Sequence, residues 1–192
     1  MSTIQLGAWQ PSYFNQNGEL ANVKVLEAWL RLMGIKARFT EVNSPYQTEQ
    51  LDFLLVGDAG RAAIRHFSTD LSRLGEQLRQ SDQGPVALFL GKSFEATALQ
   101  VFGIELSPTP RVSEFREFES NLGSVRGYLN SKLEAVPLTN RGRLFGSSLH
   151  GPILASSPLL RQRVLSLLAM NEMAMLSLGP AFAASERELG WL

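Results

Sequence analysis

The sequence predicts an α/β domain with a largely parallel central sheet, on three observations. Short apolar runs alternate with stretches of helical periodicity along most of the chain. Residues 51–56 and 86–90 are almost continuously apolar, as in strands covered on both faces. Helical segments follow both runs, which suits strands wound in parallel rather than joined by hairpins.

Taken in order, residues 4–9 form a first short strand. Over 22–33 the apolar residues Val23, Leu26, Leu30 and Met33 recur at a helical period, and Gly34 follows as the C-terminal cap. Residues 36–42 read as a strand, and 51–56 as a buried strand closed by Gly57. A single helix is expected over 62–79. Gly84-Pro85 makes a turn into the buried strand 86–90, which a helix over 93–102 follows. Between 107 and 143 the pattern is shorter and more polar, so small antiparallel elements are expected, with weak strands at 112–118 and 136–138. A short strand at 145–149 leads into His150-Gly151-Pro152. Pro158 precedes a helix expected over 159–178, and a short surface-packed tail over 181–192 ends the chain.

A chain of 192 residues, 44% hydrophobic and 19% charged, fits one domain spanning 1–192. Eighteen basic residues balance eighteen acidic ones, so charge gives no reason to expect nucleic acid or an anionic membrane as partner. The absence of cysteine excludes disulfides, thiolate ligands and a cysteine nucleophile, and a cytoplasmic setting is the expectation. The first nine residues lack the pattern of a signal peptide. The most apolar stretch, 165–184, is interrupted by Asn171, Glu172 and Gly179-Pro180, so no membrane span is expected. Two histidines, His66 and His150, are too few for a zinc site without cysteine, so no metal is expected. The glycines around Gly57 and Gly60 lack the Lys-Ser/Thr ending of a phosphate loop, and no cofactor is expected. Glu114, Glu117 and Glu119 read as a solvated edge.

The segment Gly146-Ser147-Ser148-Leu149-His150-Gly151-Pro152, followed by Pro158 and an apolar helix, carries a specific likeness. It resembles the signature Gly-Thr-Tyr-Leu-His-Gly-Pro of class I glutamine amidotransferases, in particular the glutaminase subunit of lipid II isoglutaminyl synthase and the related cobyric acid synthase amidotransferases. Three further segments agree in order. Gly18-Glu19-Leu20-Ala21-Asn22 with Gly34-Ile35 is similar to the family's N-terminal helix start, 52–60 to its strand and glycine loop, and Phe118-Glu119-Ser120-Asn121-Leu122-Gly123 to Phe-Glu-Asn-His-x-Gly. The resemblance implies a three-layer αβα sandwich of flavodoxin-like type, in which a cysteine at a strand-to-helix turn attacks the side-chain amide of glutamine and a histidine activates it. Backbone N–H groups then hold the oxyanion.

On this resemblance His150 is the retained catalytic histidine and Leu90 stands at the nucleophile position, where it offers no nucleophilic atom. The three-glycine oxyanion loop is reduced to Gly57-Asp58-Ala59, with a carboxylate where an oxyanion would develop. Ser124 stands where the family's arginine would clamp the substrate carboxylate, with Arg126 nearby as a substitute or a surface charge. Ser148 and His150 alternate along one strand, but the sequence places no acid beside them.

The resemblance therefore implies a non-catalytic homologue that acts as a binding or scaffold subunit, with a Mur-ligase-like or amidotransferase-like protein partner or a small-molecule ligand in the old pocket. The competing expectation is an enzyme that pairs His150 with another nucleophile or an activated water. Ser93, Ser148 or Glu95 within reach of His150 would favour the enzyme, and an apolar plug around Leu90 and Phe94 the binding role.

Overall fold

The computed structural model describes residues 3–81 and 83–169; the expected helix beyond 169 and the tail 181–192 lie outside them. The α/β class holds. Six strands, β1 (Ile4–Trp9), β2 (Ala37–Val42), β3 (Phe53–Val56), β4 (Val86–Leu90), β7 (Thr139–Arg141) and β8 (Leu144–Ser147), form a sheet of order β2-β1-β3-β4-β8-β7. All neighbours run parallel except β7, which pairs antiparallel with β8 at the edge. With β1 connecting outward to β2 and β3 continuing the other way, the carboxyl ends of the inner strands gather their loops at one rim, where open α/β sheets place their sites.

Alternation along the strands sends side chains into two cores. On one face Leu6, Leu55, Leu88 and Leu90 pack with α1 (Ala21–Leu32), the short α5 (Ile153–Ser156) and α6 (Pro158–Ala169), through Val23, Leu26, Leu30, Ile153, Leu160 and Val164. On the other, Leu54, Val56, Ala87 and Phe89 meet Leu71, Leu74 and Leu78 of α3 (Ser68–Gln80) and Phe94 of α4 (Lys92–Thr97). The result is three layers, helix on sheet on helix. Among the described residues no helix is long and apolar enough to cross a membrane.

The helix expected over 62–79 is two, α2 (Arg61–His66) and α3, broken at Phe67. The break turns the Phe67 ring onto Phe14 and Tyr13, at centroid distances of 5.7 and 5.2 Å, and packing overrides the local helical preference. The helix expected over 93–102 is α4 followed by a π turn, Ala98–Phe102, that ends at Gly103 with φ 72°.

The polar middle of the chain is more regular than its composition suggests. Strands β5 (Pro108–Ser120) and β6 (Gly123–Leu133) make a long antiparallel hairpin. The strand expected at 112–118 lies within β5, and the antiparallel pairing holds; because β5 is exposed along nearly its whole length, its full extent has no apolar alternation to mark it. Residues 136–138 are not a strand; they lead into β7. The strand expected at 145–149 is divided at Ser148: β8 stays in the central sheet, while β9 (Leu149–His150) pairs with β6, Tyr128 opposite His150. Ser147 and Ser148 fix the crossing, the first donating to the Pro137 carbonyl at 2.5 Å and the second accepting from the Val136 amide at 3.1 Å.

Candidate functional site

Three loops at the carboxyl rim of the sheet converge on one buried polar cluster. The loop after β1 supplies Asn17 and Glu19, the loop after β3 supplies Asp58, and the turn after β4 supplies Gly91 and Lys92. His150 arrives on β9 from the hairpin sheet.

At the centre His150 Nδ1 lies 2.9 Å from Asp58 Oδ2, with both side chains 1% exposed. The Asn17 amide donates to the same carboxylate oxygen at 3.0 Å. The Lys92 backbone N–H donates to Asp58 Oδ1 at 2.8 Å, and its ammonium stands 3.5 Å from Oδ2. Burial alone would push the Asp58 carboxyl up, but hydrogen bonding to His150, the charge of that ring, the Lys92 amide and the Lys92 charge together hold it below its ordinary 3.8. With Asp58 ionised, the ring donates through Nδ1. Nε2 is buried with no hydrogen-bond partner among the described residues.

A second carboxylate braces the cluster. Glu19, fully buried, accepts from the Asn17 N–H at 2.9 Å and from the Gly151 N–H at 3.1 Å. Asn22, in the first turn of α1, donates to the Glu19 and Gly151 carbonyls at 2.8 and 3.0 Å and accepts from the Leu154 N–H at 2.9 Å. These bonds clamp the loop that carries His150 onto the start of α1. Ligand atoms of Glu19, Asp58 and His150 lie within 4.8 Å of one another. Every oxygen of the two carboxylates already accepts from a protein donor, and the Lys92 ammonium adds positive charge beside them, so the donor set favours an internal network over a cation.

The turn after β4 decides what the cluster can do. Gly91 has φ 58° and ψ −129°, a conformation open to glycine and costly for other residues. A Cβ built on it would stand 2.6 Å from both Nδ1 and Cε1 of His150 and 2.7 Å from Asp58 Oδ1. The residue that faces the imidazole is thus Gly91, and the ring fills the volume a side chain there would need. Leu90, expected at that place, is the last residue of β4, paired with Ser147 and wholly buried in the core beneath α1 and α6.

The other expected positions are scattered. Gly57 packs against the Phe14 carbonyl and the Glu19 Cβ, so close approach of the β1 loop accounts for that glycine. Ala59 is buried with Phe14 and Val56. Ser124 is not at the cluster: it lies four residues toward the hairpin turn from Tyr128, the partner of His150, or about 13 Å of strand. It hydrogen-bonds Glu117, which also pairs with Arg126 at 2.8 Å. The Ser93 hydroxyl lies 2.8 and 2.9 Å from the Val56 and Leu90 carbonyls, its one proton shared between them. Ser148 is committed to Val136. His66 meets the Phe67 ring edge-on at 4.6 Å.

Asn17, Glu19, Gly91 and Lys92 were not picked out as site residues in the sequence. Glu19 and Asn22 do fall inside the quoted segment 18–22. Asn17 and Lys92 carry no signal of their own, since only the fold brings them to Asp58.

No family model and no curated protein matches the chain. Among solved structures, a crystal structure described as a "putative transcriptional regulator protein from Vibrio parahaemolyticus" aligns over 87% of this chain and 97% of its own at 13% identity, with a TM-score of 0.43. Similarity at that level carries no argument about fold or function.

Proposed function

We propose that this chain is a non-catalytic relative of the glutaminase subunits, serving as a binding or scaffold subunit in the cytoplasm beside a Mur-ligase-like or amidotransferase-like partner in cell-wall precursor amidation. The observation that carries the reading is Gly91: the strand-to-helix turn facing the Asp58–His150 pair bears no side chain, so covalent attack on an amide has no nucleophile there. Three findings support it. Leu90 and Phe94 are fully buried apolar residues, and Ser93 and Ser148 are tied to backbone groups rather than to His150. The β5 edge, with Phe115 71% exposed, offers a surface on which a partner could form contacts.

A second reading rests on His150 Nε2, a buried nitrogen without a hydrogen-bond partner among the described residues, on a ring oriented by a carboxylate, the arrangement used by general acid–base catalysts. It would require the buried nitrogen to become accessible to water. Affinity purification of the tagged chain from its source tests the scaffold role. A ligase-like or amidotransferase-like protein recovered in stoichiometric amount is the expected result; recovery of the chain alone as a monomer would count against it.

A further inference from the structure

We infer that the cavity between α2, α4 and the base of the β5–β6 hairpin binds a small phosphate ester that carries a neighbouring hydroxyl. The cavity holds about 500 Å³ and is lined by the cations Arg61, Lys92, Arg111 and Lys132, the carboxylate Glu95 and the amide Asn130. That volume suits a small metabolite.

The charges are unbalanced. Four cations face one carboxylate, and Arg61, Arg111 and Lys132 enter no ion pair among the described residues. Lys92 alone has an acidic neighbour, Asp58, at 3.5 Å. A ligand with a single negative charge would leave most of this field uncompensated, whereas a phosphate monoester brings up to two charges and three acceptor oxygens.

The lining is also shaped. Pairing of β5 with β6 slips in register between Pro108 and Val112, and Arg111 lies within that irregular stretch. Such irregularities re-aim side chains. Asn130 Oδ1 then accepts from Arg111 Nε and Nη2 at 3.2 and 3.0 Å, which orients the guanidinium and leaves its remaining N–H groups for an anion. Glu95 supplies the complementary feature: its Oε1 is buried without a hydrogen-bond partner, an acceptor waiting for a donor. An anion alone leaves that oxygen unsatisfied; a hydroxyl beside the phosphate satisfies it.

This inference names a ligand for the binding role proposed above and rests on that reading only in treating the ligand as unchanged by the protein. The test is calorimetric titration of the full chain with ribose 5-phosphate, inorganic phosphate, ribose and glutamine, each at low and high salt. Ribose 5-phosphate should bind best, inorganic phosphate more weakly, and both more weakly as salt rises. Arg111→Gln and Lys132→Gln, both at exposed positions, should each weaken the ester roughly tenfold or more without moving the unliganded melting temperature. Glu95→Gln should narrow the preference for the ester over free phosphate. Absence of saturable phosphate binding, binding of glutamine in preference to the ester, or affinities unmoved by the two cation variants would overturn the assignment. Release of phosphate from the ester during titration would sustain the pocket and sink the non-catalytic reading instead.

Discussion

Gly91→Ala will destabilise the protein by about 2 to 6 kcal/mol in urea unfolding, one of the two largest effects expected of any single substitution at the rim. Two costs add. Holding a residue with a side chain in a backbone region reserved for glycine costs roughly 1 to 3 kcal/mol. Forcing a methyl into occupied space costs roughly 1 to 3 kcal/mol more, because the new Cβ would sit 2.6 Å from the His150 ring. Gly142→Ala separates the two: that glycine also has positive φ, 60°, but a Cβ there meets nothing within 4 Å. It should show a cost of positive φ without the clash. In a His150→Ala background the excess at Gly91 should shrink. Equal losses at Gly91 and Gly142 would mean that the imidazole does not fill the turn.

Asp58→Ala should cost about 3 to 5 kcal/mol, because it removes one member of a buried pair and strands several donors with it. The His150 ring, the Asn17 amide and the Lys92 N–H all lose their acceptor at once. The same group sets an acid dependence. Since the folded carboxyl titrates below 3.8, the unfolded chain takes up the proton first as pH falls. The stabilisation is therefore complete above that value and is lost as pH drops through the lower folded one. Asp58→Asn should flatten this part of the stability profile. A profile identical to that of the unchanged chain below pH 3.8 would show that Asp58 is not held as described.

The inner sheet was legible because strands such as β3 and β4 are buried on both faces and so advertise themselves as unbroken apolar runs, as at Leu54, Leu55 and Val56. The β5–β6 hairpin was legible only in part: antiparallel pairing and a strand at 112–118 were expected and are found within β5, but its full length was not, since an exposed strand needs no apolar alternation and its charged residues read as a solvated edge. His150 was found from its motif, but its partner was hidden. Asp58 looked in sequence like a defect in a glycine loop, and only the approach of β9 to the carboxyl rim makes it the acid beside the ring. The step from Leu90 to Gly91 has a similar cause. The end of a buried strand and the start of the turn differ by one residue, and alternation sends the first into the core while positive φ turns the second toward the histidine. Gly91 thereby faces the imidazole with no side chain, a placement that no residue-type argument assigns to a glycine.

Ammonia release from glutamine by the purified chain tests the non-catalytic reading most directly. The expected result is a rate no higher than the blank, unchanged by His150→Ala, because the histidine faces a turn with nothing to activate. Turnover that persists through repeated purification and disappears in His150→Ala would contradict the account.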